Sequence, residues 1–76
     1  MTLGARIKSW REALGIKQRA IADAAAVSVS AVSHWENDDN APNQQNLTAT
    51  VGALGITFER FYGEIPRAPE SKVAVA

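Results

Sequence analysis

The sequence predicts an all-α fold of five short helices, and three kinds of observation lead to it. Apolar residues recur at helical spacing, capping residues precede several of these runs, and glycines or polar clusters follow them. With 76 residues and no cysteine, the chain suits one small domain without disulfides or thiolate metal sites. We expect a single domain over residues 1–65 and a flexible tail over residues 66–76, which are rich in proline and charge.

The first predicted helix covers residues 3–14. Four apolar residues share one face of it, at spacings of four, three and four: Leu3, Ile7, Trp10 and Leu14. Thr2 can cap its start, and Gly15 can end it in the left-handed conformation.

Residues 17–36 predict two helices joined by a tight turn. The first runs from Gln18 to about residue 25, and the second from Val29 to about Glu36, with Ser28 as its N-cap. On the second helix, Val32 and Trp35 share the inner face. The opposite face carries small or hydrogen-bonding residues: Val29, Ser30, Ser33 and His34. A helix supported in this way by its predecessor can enter the major groove of DNA.

Two further helices follow a polar loop. Asn43 precedes a predicted helix over residues 44–54, which Gly55 ends, and Thr57 caps a fifth helix, which Gly63 ends. We expect two aromatic residues of this last segment to close the core: Phe58 and Phe61. Two others are expected to stay at the surface and mark an interface, with Phe58 at its edge: Tyr62 and Ile65.

The formal net charge is zero, but it is unevenly distributed. Residues 1–35 hold five basic and two acidic residues, whereas residues 36–76 hold three basic and six acidic residues. The positive half contains the predicted helical pair, which favours contact with a polyanion. A chance asymmetry on a solvated surface is the alternative interpretation.

Catalysis and metal binding are poorly supported. Ser30, Ser33 and His34 lie together on one exposed helix, with no orienting acid or oxyanion hole in reach. The segment 37–40 lacks the ligand spacing, central glycine and closing glutamate of a calcium loop, so we interpret it as a solvated turn. A lone histidine without cysteine is a poor basis for a metal site.

Taken together, the residues resemble the lambda-repressor/Cro (Xre) family over about residues 3–62. The residues that carry the resemblance are RIKSWRE (6–12), Gln18, Ile21-Ala22, Val27-Ser28, Val32, Trp35-Glu36-Asn37, Pro42, Leu47 and LGITFERFY (54–62). The resemblance implies a compact five-helix DNA-binding domain with the helix-turn-helix at helices 2 and 3.

The resemblance also implies roles for individual residues. Base readout falls to Val29, Ser30, Ser33 and His34. Phosphate contacts fall to Lys17, Gln18, Arg19, Ser28 and Asn37, and Gln18 also braces the recognition helix. Arg11 and Glu36 occupy the positions of an ion pair between helices 1 and 3, for which we expect bidentate geometry.

The sequence departs from the family pattern in two places. Ala26 replaces the usual glycine of the turn, where a left-handed alanine costs about 1 kcal/mol. Asp38 and Asp39 replace a glycine followed by a basic residue, and we expect these acids to lie near phosphates and weaken DNA binding.

The sequence therefore predicts a DNA-binding transcriptional regulator that acts as a repressor. We expect it to bind a palindromic double-stranded operator as a homodimer, with the dimer interface formed by Phe58, Tyr62 and Ile65. The alternative is a protein-interaction module on the same scaffold. We expect no enzymatic activity, cofactor or small-molecule ligand. Without a signal-peptide core or an apolar run of membrane length, we expect a cytoplasmic, nucleoid-associated protein without membrane contact.

Overall fold

The computed structural model describes residues 1–66, which form five α-helices. The helices are α1 Leu3–Ala13, α2 Gln18–Ala25, α3 Val29–Glu36, α4 Gln44–Leu54 and α5 Phe58–Gly63. The prediction of an all-α fold with the helix-turn-helix at the second and third helices is confirmed. The predicted tail, apart from Pro66, lies outside the described residues.

Side-chain caps determine where four of these helices begin. In each, the side-chain oxygen of the N-cap residue accepts a hydrogen bond from the backbone N–H three residues later, over 2.8 to 3.1 Å. The four caps are Thr2, Ser28, Asn43 and Thr57. Each satisfies one of the N–H groups that a helix start leaves without a partner, a contribution of about 1 kcal/mol per cap.

The end of α1 corrects one expectation about the core. The helix stops at Ala13, and Gly15 at φ +70° reverses the chain. Leu14 forms the C-cap and is 39% exposed, although its spacing had placed it on the buried face. The Leu14 N–H still donates to the Trp10 carbonyl oxygen over 3.0 Å, so Leu14 keeps the helical register. Spacing identifies a face of the helix but not how far along that face other elements pack.

The core lies where the first four helices meet, and α5 closes it. Ile7 of α1, Ile21 of α2, Val32 of α3 and Phe61 of α5 are fully buried. Helix α2 packs against α3 and α4, and α1 packs against the same two helices. Helix α3 is therefore supported from behind by two helices, which limits its freedom to tilt.

Helix α5 is tied to α1 by hydrogen bonds to its C-terminal carbonyl groups. Trp10 Nε1 donates to the Phe61 carbonyl oxygen over 3.1 Å. Arg6 Nη1 donates to the same oxygen over 2.9 Å and to that of Glu64 over 3.0 Å. The guanidinium of Arg60 lies 5.2 Å from the centroid of a Trp10 ring, within cation–π distance. The hydrogen bonds from Trp10 and Arg6 satisfy carbonyl groups that the end of a helix leaves unpaired.

Within residues 1–66, no helix is both long enough and apolar enough to cross a membrane.

Candidate nucleic-acid interface

The turn between α2 and α3 sets the angle of the helical pair. Ala26 adopts φ 57° and ψ 44°, the left-handed conformation that its position required. The Val27 N–H then donates to the Ala22 carbonyl oxygen over 2.9 Å, and Ser28 caps α3. The alanine accepts a strain of about 1 kcal/mol that glycine would avoid. The turn therefore keeps the geometry despite the substitution.

Helix α3 is buried on one side. Val32, Trp35 and Glu36 are buried, and the first two belong to the hydrophobic core. Val29, which we expected on the solvent-facing side, is only half-exposed and packs against the core. Because Val29 is half-exposed, part of its side chain is accessible to a ligand.

Ser30 and His34 form the accessible part of the opposite face. Both are exposed and lie four residues apart, which places them on successive turns of the same side. Ser33 is half-buried beside them. The structure thus brings the predicted readout residues onto one helix surface, with Ser30 and His34 the most accessible.

Behind this face, Arg11 and Glu36 join α1 to the end of α3. Arg11 Nε donates to Glu36 Oε2 over 2.7 Å, and Arg11 Nη2 donates to Glu36 Oε1 over 3.1 Å. The side chains are 15% and 3% exposed respectively, so the pair is shielded from water. The hydrogen bond to Glu36 is the main cause that raises the pKa of Arg11, while its partial burial acts in the opposite direction.

Gln18 extends this ion pair to α2. Its Nε2 donates to Glu36 Oε1 over 3.0 Å, and Arg11 Nη1 donates to the Ile16 carbonyl oxygen over 3.1 Å. Helices α1, α2 and α3 therefore converge on one carboxylate. The resemblance implied both a phosphate contact and a bracing role for Gln18, and the hydrogen bond from its amide to Glu36 is a contact of the bracing kind.

A cleft opens directly in front of this network. It has a volume of about 530 Å³ and is lined by Lys8, Arg11, Glu12, Lys17, Gln18, Ser33, Glu36 and Asn37. Lys8 and Lys17 are exposed, whereas the Glu36 carboxylate accepts hydrogen bonds from Arg11 and Gln18. The cleft thus combines two lysines and the exposed Glu12 with amide groups beside α3, and its lysines and amides can donate to an anionic oxygen.

The remaining predicted phosphate contacts flank α2 and α3. Arg19 and Ser28 line a second cleft, of about 350 Å³, between these two helices. Arg19 lies 3.4 Å from Asp23 in an exposed pair, which contributes little to stability and leaves the guanidinium accessible. Ser28 is exposed even though its hydroxyl caps α3.

The loop after α3 gives Asp38 a structural contact that the sequence did not indicate. Its side chain lies at the start of α1, where Oδ2 accepts from the Thr2 hydroxyl over 2.6 Å and Oδ1 accepts from the Gly4 N–H over 3.0 Å. A carboxylate is favourable there because the N-terminus of a helix carries partial positive charge. Asp38 also has φ +61°, a left-handed conformation that Asp tolerates better than most residues. This carboxylate therefore has a structural role as an acceptor at the start of α1.

Asp39 turns back to α3 instead. Its N–H donates to the His34 carbonyl oxygen over 2.9 Å, and its Oδ2 lies 3.2 Å from His34 Nδ1. Both side chains are half-exposed or more. Nothing in the sequence pattern indicated this contact.

The predicted dimer residues lie on α5 and just beyond it. Tyr62 is 54% exposed and Ile65 is 77% exposed, whereas Phe58 is half-buried. Tyr62 packs edge-on against the buried Phe61 at 4.9 Å between ring centroids and is stacked near Phe58 at 6.4 Å. These residues form an apolar surface on an element separate from α3.

No group of three or more His, Asp or Glu side chains in residues 1–66 is arranged to hold a metal ion.

A two-helix unit, supported by a third helix and carrying an exposed polar face on its second member, defines a helix-turn-helix domain. The profile of the helix-turn-helix family matches residues 7–61, from the middle of α1 to α5. The chain belongs to this family, in its lambda-repressor-like (Xre) branch.

Among its relatives is repressor protein C2 of Salmonella phage P22, which is 40% identical over 52 residues. A second is the kinesin-like protein KIN-14K of Oryza sativa subsp. japonica, which is 39% identical over 59 residues. The matched segments cover 68% and 78% of this chain, but only 24% of the phage repressor and 6% of the kinesin-like protein. No solved structure matches the chain significantly.

Proposed function

We propose that this protein is a sequence-specific double-stranded DNA-binding regulator that represses transcription. The observation that carries the proposal is the exposed face of α3, where Ser30 and His34 lie on successive turns while Glu36 is fixed from behind by Arg11 and Gln18. A rigid helix with an accessible polar face suits readout of base edges in the major groove. The name of the phage relative, a repressor, favours the same activity.

In this proposal α3 supplies specificity. Ser30 and His34 hydrogen-bond to base edges, Ser33 assists them, and the exposed part of Val29 contacts a thymine methyl group. Affinity comes from groups on either side of α3 that contact phosphates: Lys17, Gln18, Arg19, Ser28 and Asn37. The proposed place of action is the compartment that holds the DNA, the cytoplasm with its nucleoid.

The proposed active form is a homodimer. One α3 contacts only a few base pairs, which is too little information to define a unique genomic site. Tyr62 and Ile65, with Phe58 at their edge, offer an apolar surface that leaves α3 free. A two-fold axis through this surface would present two copies of α3 about 34 Å apart to a palindromic operator. Since six-residue α5 offers little area, DNA supplies part of the association energy.

Selection from a random duplex library tests the proposal. The wild-type protein should enrich one palindromic sequence, and Ser30→Ala and His34→Ala should change the preferred base at particular positions. Gln18→Ala should instead weaken binding to all sequences by a similar factor. Gln45→Ala is a matched control, because Gln45 is an exposed glutamine on α4, a helix to which no DNA contact is assigned. A wild-type protein that enriches no sequence would overturn the proposal.

A second candidate function is a protein-interaction module. The net charge of zero and the match to a kinesin-like protein favour it. The duplex selection, followed by titration across salt concentrations, separates the two candidates. A regulator should enrich a duplex and lose affinity for it steeply as salt rises because phosphate contacts release counterions, whereas an interaction module should enrich none.

A further inference from the structure

Asp39 contacts both the backbone and the side chain of His34, the last polar residue on the exposed face of α3. Its N–H donates to the His34 carbonyl oxygen over 2.9 Å, which fixes the start of the loop against the helix. From that anchor, Asp39 Oδ2 reaches to 3.2 Å from His34 Nδ1. The neighbouring acid cannot take this role, because both carboxylate oxygens of Asp38 accept hydrogen bonds at the start of α1.

The Asp39–His34 contact has one consistent proton arrangement when the imidazole is neutral. An ionised carboxylate can only accept, so the proton must be on Nδ1. The neutral ring carries one proton, and Nε2 is then left with a lone pair. An imidazole without such a partner prefers the opposite tautomer, with its proton on Nε2. The carboxylate therefore decides what the outer nitrogen of His34 offers to a ligand.

We propose that Asp39 is a positioning residue that sets the base preference of His34 by fixing its tautomer. The inference rests on the proposed function, since it assigns a chemistry to a residue of the readout face. With a lone pair on Nε2, His34 accepts a hydrogen bond from an exocyclic amino group, which adenine carries at N6 and cytosine at N4. With the proton on Nε2, His34 would instead donate to guanine N7 or O6, to thymine O4 or to adenine N7, so guanine and thymine become acceptable at that position.

Nitrogen NMR tests the tautomer without any DNA. The chain has a single histidine, so the ring ¹⁵N signals of the full-length protein need no assignment. In alkaline buffer, the wild-type spectrum should show a protonated Nδ1 and an unprotonated Nε2. Asp39→Ala should reverse this pattern. Glu59→Ala is the control, because it removes the same charge from an exposed position on α5 and should leave the pattern unchanged. The same tautomer in wild-type and Asp39→Ala proteins would overturn the inference.

Duplex selection then tests the consequence for readout. His34→Ala identifies the base pair that depends on His34, and Asp39→Ala should allow guanine or thymine to compete at that position while the other positions keep their preferences. An unchanged preference at that position overturns the role of Asp39 but leaves the proposed function intact. A wild-type protein that enriches no sequence overturns the proposed function, and the readout inference with it.

Removal of a single amino group gives a direct check. In the enriched duplex, an analogue that lacks the amino group at the His34-dependent base should weaken wild-type binding several-fold. The same analogue should have little effect on Asp39→Ala, since its Nε2–H no longer needs that donor. An equal loss for both proteins contradicts the assigned hydrogen bond.

Discussion

Gly4 and Asp38 are in direct contact across the fold: the Gly4 N–H donates to Asp38 Oδ1 over 3.0 Å. A β-carbon at position 4 would collide with the Trp35 carbonyl oxygen and come within 2.6 Å of Asp38 Oδ1. Since Trp35 belongs to α3, this glycine is what lets α1 approach the end of the proposed recognition helix.

Gly4→Ala should therefore destabilise the protein by about 1–3 kcal/mol, because backbone atoms cannot move aside as a flexible side chain can. Gly52→Ala is the matched control, since a β-carbon there meets nothing within 4 Å. It lies inside α4, where alanine should stabilise the helix by about 0.5–1 kcal/mol. Thermal melts of both variants measure these effects. A Gly4→Ala variant as stable as the wild type would contradict the close approach.

Asp38→Gly should lower stability by about 1–2 kcal/mol, since it removes two hydrogen bonds to the start of α1. Glycine retains the left-handed conformation at this position, so the loss reports on the carboxylate and not on backbone strain. Asp39→Gly is the comparison, because Asp39 contacts only the exposed His34 side chain through its carboxylate. Urea titrations of both variants would settle the difference; equal stability losses would remove the special role of Asp38.

Arg11→Ala and Glu36→Ala should each cost about 3 kcal/mol, because each leaves a shielded charge without its partner. Arg19→Ala is the control for loss of an exposed pair, and should change stability by no more than about 0.5 kcal/mol. Calorimetric melting is the measurement. If Arg11→Ala and Glu36→Ala both melt within about a degree of the wild type, the ion pair has no structural role.

Tyr62→Ser and Ile65→Ser should weaken the proposed dimer while leaving the fold intact, since both side chains are mostly exposed. Sedimentation with and without a palindromic duplex measures the stoichiometry. Leu14→Ser controls for the loss of an exposed apolar side chain elsewhere, at the end of α1. A wild-type complex with one protomer on a full palindrome, even at high protein concentration, would exclude the dimer.

The helices and their ends could be predicted because their signals are local. The Ser28 cap, the left-handed Ala26 and the glycine after α4 each act within a few residues of the helix end that they define. Leu14 was misplaced because burial is not a local property: its spacing identifies a face of α1 but not how far along that face neighbouring elements pack.

The tertiary hydrogen bonds could not be predicted in this way. Asp38 meets Thr2 and Gly4 across more than thirty positions of sequence, and Arg6 meets Phe61 across 55. Each depends on how two helices cross, and the types of the residues do not determine that. Polar residues such as Asp38 were therefore assigned to the solvent or to DNA by default. The roles of the proposed DNA contacts and dimer residues remain predictions.

The hydrogen bonds from α1 to α5 also bear on how the chain folds during synthesis. The first helix leaves the ribosome early, yet the acceptors for Trp10 and Arg6 are the carbonyl groups of Phe61 and Glu64. A nascent chain that has reached only α4 has no partner for the Trp10 indole and no Phe61 ring to fill the core. Helices α1 to α4 therefore cannot complete their native packing until α5 is available. Cooperative folding of this domain is delayed until nearly all of it has emerged from the ribosome.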